Sequence, residues 1–162
     1  MERKAQAAME FLMTYGWAIL VVLVAIGALA YFGVLSPDNF LPERCTGPAG
    51  LDCLDKAAIE ATPNNVTFVL KNNVGFDITS LSVTSASDSC GSVSGSFIQT
   101  ENASGAYNVS NRAENNRKVK VTVTCGTDFS TGRFKSNIGL SYANAQSGLS
   151  HTATVAVTGA AS

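Results

Sequence analysis

The chain has 162 residues, with 11 Lys plus Arg, 12 Asp plus Glu and a net charge of -1, which leaves room for one ordinary domain plus an added segment and lacks the basic excess of a general nucleic-acid binder. Only 14% of residues are charged, against about 25% in a usual soluble domain, and 46% hydrophobic residues argue against global disorder. A single histidine excludes a multi-histidine metal site.

The charge is unevenly spread. Met1-Glu-Arg-Lys-Ala5 opens the chain with two bases, and Glu10 follows, but no charged residue stands between Phe11 and Pro37. The stretch from Trp17 to Leu35 is uncharged and apolar on every side, and about 20 such residues span a bilayer as a helix. Arg3 and Lys4 before it predict a cytoplasmic N-terminus, with the rest of the chain outside. Pro37 and Pro42 mark the exit, because proline cannot continue a helix. Three readings compete for this segment. A secretory signal peptide has a shorter apolar region and a small-x-small cleavage site, which Ala28-Leu-Ala30 offers; the run here is too long for it, and Glu10 sits at its edge. A plain membrane anchor is the second reading.

The third reading comes from the first dozen residues. Lys4-Ala5 ends a short basic leader, Gln6 follows, Glu10 stands four residues further on, and an unbroken apolar run begins at Phe11. Over residues 3–35 this pattern resembles the archaeal type IV pilin superfamily, whose precursors carry a class III signal peptide. Ala5 departs from that pattern, where glycine is commoner. The resemblance implies a leader of residues 1–5 cut between Ala5 and Gln6 by a prepilin peptidase, an assembly helix over 6–36, and an extracellular immunoglobulin-like β-sandwich over 37–162. It further implies a homopolymer of identical subunits, built by pilus assembly machinery and inserted in the cytoplasmic membrane beforehand. Gln6, Glu10, Phe11, Leu23, Ile26 and Gly27 are then the assembly residues. A cut before the apolar run leaves the helix on the product, whereas a cut after it discards the helix. A carboxylate at the edge of an apolar environment is costly unless paired. The resemblance supplies a partner for Glu10, the new α-amino group of Gln6 on a neighbouring subunit. Contact of Glu10 with lipid headgroups is the plainer alternative.

Beyond Asp38 the composition turns to Ser, Thr, Asn and Gly, and period-2 alternation appears. Val66, Phe68 and Leu70 form one apolar face, and Lys71-Asn-Asn-Val-Gly75 reads as a turn. Leu81 and Val83 alternate with hydroxyl residues. Val119, Val121, Val123 and Cys125 face one way along the clearest strand, with Lys118, Lys120, Thr122 and Thr124 on the other side. Phe134, Ile138, Leu140 and Tyr142 share a parity, and Val155 and Val157 close the chain. Such runs separated by turn residues predict an antiparallel sandwich or barrel. The fold class is therefore α+β, a long apolar helix followed by an all-β body.

Four cysteines allow three connectivities. With no CxxC spacing and a body outside the cytoplasm, disulfides are preferred over zinc: Cys45–Cys53 by proximity across a Gly/Pro loop, and Cys90–Cys125 by elimination. Asn65, Asn102 and Asn108 head Asn-x-Ser/Thr triplets and are glycosylation candidates, Asn102 and Asn108 in a polar loop and Asn65 opening a strand. Catalysis finds no footing. His151 reads as a surface or strand residue, Arg117-Lys-Val-Lys120 as a solvated face, and Asp77, Asp88 and Asp128 as unpaired carboxylates; no nucleophile elbow, phosphate loop or metal motif occurs. The expectation is a non-enzymatic structural subunit, without cofactor or metal, that polymerises into an adhesive surface filament. The alternatives are a membrane-anchored extracellular binding module that does not polymerise, and a pilin-like subunit of a solute-capture assembly.

Overall fold

A computed structural model describes residues 2–32 and 42–162, with side chains from residue 7 onward in the first stretch. The predicted helix end near Leu35, the exit at Pro37 and the 36/37 boundary lie outside the described residues, as do Met1 and the side chains of Ala5 and Gln6. The chain divides into two compact units, residues 1–40 and 41–162.

The first unit is one helix, α1 (Glu2–Tyr31). Ala and Leu are its commonest residues, no proline interrupts it, and Phe32 N–H still donates to the Ala28 carbonyl at 3.0 Å. Both glycines, Gly16 and Gly27, lie inside the helix, where each costs about 1 kcal/mol relative to alanine.

The second unit is all antiparallel β. In chain order it contains β1 (Arg44–Thr46), β2 (Leu51–Cys53), β3 (Ala58–Glu60), β4 (Asn65–Asn72), β5 (Ile78–Ala86), a 3-10 turn over Asp88–Cys90, β6 (Val93–Glu101), β7 (Tyr107–Val109), β8 (Lys118–Cys125), β9 (Gly132–Asn144) and β10 (Ser150–Ala161). One sheet runs β1-β10-β9-β5 and the other β2-β4-β8-β6-β7, with β3 also paired to β4. β2 and β3 lie end to end along the same strand, pairing with residues 70–72 and 65–67. The expected arrangement of a long apolar helix followed by a two-sheet β body is the observed one.

Alternation explains which side chains meet. In β4 and β8 every second residue is buried, and the register sets Val66 against Val123, Phe68 against Val121 and Leu70 against Val119. In the other sheet Ile138 faces Val155 and Leu140 faces Ala153 across β9 and β10. The inward residues of both sheets form one buried cluster that includes Phe134, Ile78, Leu51 and Cys125. Burying a Val, Leu or Phe side chain contributes about 1.5–3 kcal/mol, so these paired rows carry most of the stability of this unit. Among the described residues three polar residues are buried, Asn72, Thr100 and Ser136, and two of them bond through their side chains. Ser136 Oγ donates to the Ser87 carbonyl at 2.8 Å, and fully buried Asn72 donates through Nδ2 to the carbonyls of Phe76, Ala113 and Glu114 while its Oδ1 accepts from Val74 N–H. The predicted 71–75 turn is thus shorter than read: β4 runs through Asn72, and the reversal follows it with Gly75 at φ 97°.

Candidate functional site

Two surfaces answer to the sequence expectations, the helix and the outside of the β unit. From Ala7 to Tyr31 the helix is long and apolar enough to cross a membrane, with mean hydropathy 2.2. At 1.5 Å per residue these 25 residues extend about 37 Å, more than the roughly 30 Å of a hydrocarbon core. Nearly all of its side chains are exposed in the isolated chain, among them Phe11, Trp17, Leu20, Leu23, Val24, Ile26 and Leu29. An apolar surface that closes around the helix is unstable in water, so lipid or protein must cover it.

Within this element Glu10 is exposed, and its carbonyl accepts from Thr14 Oγ1 at 2.9 Å. Phe11 packs one turn before Tyr15, with ring centroids 4.4 Å apart. Leu23, Ile26 and Gly27 share one face by their i, i+3, i+4 spacing and lie about 20–25 Å along the axis from Glu10. The expected assembly residues therefore fall at two levels of the helix. Outside the helix's own backbone, a Cβ built on Gly16 or Gly27 meets no described atom within 4 Å. Nothing in the helix's own fold calls for glycine there.

On the β unit both expected disulfides are present, Cys45–Cys53 and Cys90–Cys125, with Cα separations of 5.7 and 4.9 Å. The first ties β1 of one sheet to β2 of the other. The second ties the 3-10 turn in the β5–β6 connection to the last residue of β8, with Cys125 on the valine face as its parity predicts. Disulfides belong to chains that meet an oxidising compartment, and with the apolar helix they describe a membrane-inserted or exported protein.

The charged groups lie outside this core, and four ion pairs join some of the described ones. Lys118 Nζ donates to Glu101 at 3.1 Å and holds that carboxyl below the usual carboxylate range; Lys56 does the same to Glu43 at 2.6 Å. The basic run at 117–120 is thus partly neutralised, since Arg117 also lies 3.6 Å from Glu114. Asp77, read as an isolated carboxylate, accepts from Asn115 N–H at 2.9 Å and from Arg112 at 3.4 Å. His151 is exposed on β10 and stacks on Tyr142, centroids 5.5 Å apart, with Phe76 beyond. Among the described residues no group of His, Cys, Asp and Glu is arranged to hold a metal ion.

The three sequons occupy different settings. Asn65 begins β4 between β3 and β8, Asn108 is exposed on β7, and half-buried Asn102 starts the turn between β6 and β7. Two features escaped the sequence reading. Asn72 is one, because its partners at 113–114 lie some 40 residues away. The other is the partner of the Ser104 hydroxyl, whose only signal was its place two residues after Asn102 and next to Gly105. Comparison with protein-family models, curated proteins and solved structures finds no match to this chain.

Proposed function

We propose that this chain is a pilin-like structural subunit that polymerises through α1 into a surface filament, with the β unit as the exposed, adhesive part. The observation that carries the reading is the conjunction at the N-terminus: a basic leader, Gln6, Glu10 and then an apolar helix whose described side chains are exposed. A helix that only anchors has lipid for a partner, and lipid sets no demand for small residues at fixed places. Gly16 and Gly27 cost helix stability and relieve no contact among the described residues of the helix, which fits a helix whose neighbours are other helices at close approach. The transfer from bilayer to polymer abandons no apolar burial only if sister helices cover every face, so many subunits pack together. Glu10 then pairs with the Gln6 α-amino group of a neighbour, and the assembly machinery supplies the work of extraction.

The second reading, a membrane-anchored module that never polymerises, is favoured by the length of α1, which spans a bilayer without help. Substitution separates the two. Leu23→Asp or Ile26→Asp is expected to abolish filaments while a 42–162 fragment stays soluble and folded. Glu10→Ala is expected to reduce filament yield, seen by electron microscopy of sheared surface material, far more than it reduces export. Normal filament assembly by the Glu10→Ala chain contradicts the pairing.

A further inference from the structure

The hydroxyl of each Asn-x-Ser/Thr triplet has a different partner. Thr67 Oγ1 shares a hydrogen bond with Thr122 Oγ1 at 3.1 Å, while Asn65 Oδ1 accepts from Thr124 Oγ1 at 2.8 Å, so both ends of that triplet are held to β8. Ser110 Oγ is taken up by Arg112, donating to its carbonyl at 3.2 Å and accepting from its N–H at 3.1 Å. Ser104 Oγ turns back on its own asparagine and donates to Asn102 Oδ1 at 2.7 Å. The N–H groups of Ser104 and Ala106 donate to the same oxygen, each at 3.0 Å.

Backbone geometry explains the difference. Along a strand, residues two apart stand about 6.6 Å from each other and point the same way, too far for a hydroxyl to reach a carboxamide. The β6–β7 connection instead folds tightly. Asn102 N–H donates to Ala106, Gly105 N–H donates to Asn102, and Gly105 takes φ 83°, a conformation that glycine adopts without strain. Residues 103–106 are exposed. All three donors engage the carboxamide oxygen of Asn102, and its Nδ2 donates to no acceptor among the described residues.

We propose that Asn102 is an N-glycosylation site, and that of the three triplets it is the one this fold presents for transfer. The donor class is an oligosaccharide activated on a lipid-linked phosphate. Asn102 Nδ2 attacks the anomeric carbon, the N–C bond forms, and the bond from that carbon to the phosphate oxygen breaks. The phosphate leaves with the electron pair, and the Nδ2 proton passes to a base of the transferase. Three hydrogen bonds to Oδ1 polarise the carboxamide and make its N–H more acidic, and one of them comes from the hydroxyl that defines the triplet. Beside the turn lies a polar cleft of about 270 Å³, lined in part by Asn102, Asn108, Arg112 and Glu114, which offers donors and acceptors to the hydroxyls of a first sugar. Exposure alone ranks Asn108 first; the hydroxyl geometry ranks Asn102 first, and the two rankings separate by experiment.

This proposal requires only that the β unit lies outside the cytoplasm. The full chain is purified from the surface of its native cell and cut with chymotrypsin, which separates Asn102 from Asn108 at Tyr107. Mass spectrometry is expected to find a sugar increment on the peptide containing Asn102, lost in Asn102→Gln and Ser104→Ala and retained in Ser104→Thr. Ser104→Ala keeps both backbone donors to Oδ1, so it removes the hydroxyl while preserving the turn. An unmodified Asn102 in the wild-type chain, with or without sugar on Asn65 or Asn108, overturns the proposal, as does full occupancy in Ser104→Ala. Sugar on Asn102 of a chain that never polymerises supports it while sinking the filament reading.

Discussion

Asn72 shows how much one side chain can organise. Its four side-chain hydrogen bonds join the end of β4 to the Phe76 reversal and to the 113–114 segment, and it is fully buried. Replacing it by alanine leaves the Phe76 carbonyl and the Val74 N–H without this partner, while the Ala113 and Glu114 carbonyls still accept from Ile78 N–H and Arg117 N–H. Each group so left costs about 1–3 kcal/mol, less where the backbone relaxes, so Asn72→Ala is expected to lower the stability of the β unit by about 3 kcal/mol in urea unfolding. Thr67→Ala removes a half-buried hydrogen bond to Thr122 and is expected to cost under about 1 kcal/mol. Equal losses for the two would contradict this assignment. In sequence, Asn72 is one polar residue in a turn-forming Asn-Asn-Val-Gly run, and polar turns are common. Its burial follows from chain that arrives 40 residues later, which no local pattern records. Cys125 was readable for the opposite reason, since its place on the valine face follows from parity alone.

At the scale of elements, readability tracked burial. β4, β8 and β9 alternate because each has one face in the core and one in solvent, so Val66, Phe68, Val121 and Leu140 sit where a period of two puts them. β6 gave no such signal. Its sequence Val-Ser-Gly-Ser-Phe-Ile-Gln-Thr-Glu mixes buried and exposed positions, and its register with β8 shifts between Val93 and Gly95. β1, β2 and β3 have three residues each, too few for a period. Strand order was likewise out of reach, because pairings such as β4 with β8 depend on distant chain. The two disulfides act on these elements unequally. Cys45–Cys53 joins the two sheets across a separation of 8, whereas Cys90–Cys125 ties the β5–β6 connection to β8 across a separation of 35. In the chain-entropy picture the longer loop contributes about 4 kcal/mol and the shorter about 2.5 kcal/mol. Replacing both Cys90 and Cys125 by serine is therefore expected to lower the unfolding midpoint more than replacing Cys45 and Cys53. The reverse order would place the main constraint in the short loop.

For the whole molecule, the two units answer different physical demands. The β unit satisfies itself: its core is closed and its cysteines are paired. The helix does not: among the described residues its apolar side chains are exposed, and its glycines relieve no contact within the helix. What covers the helix decides what the protein does. Lipid alone makes an anchor; sister helices make a polymer. The polymer requires a helix freed from its leader but not from the chain, so the cut must fall before the apolar run. The most direct measurement is the N-terminal residue of surface protein, taken together with its physical state. The account predicts loss of five residues, a chain beginning at Gln6 with net charge -2, recovered as filaments. A chain that retains Met1 and stays monomeric in membranes, or one that begins at Tyr31 with the helix removed, would contradict it.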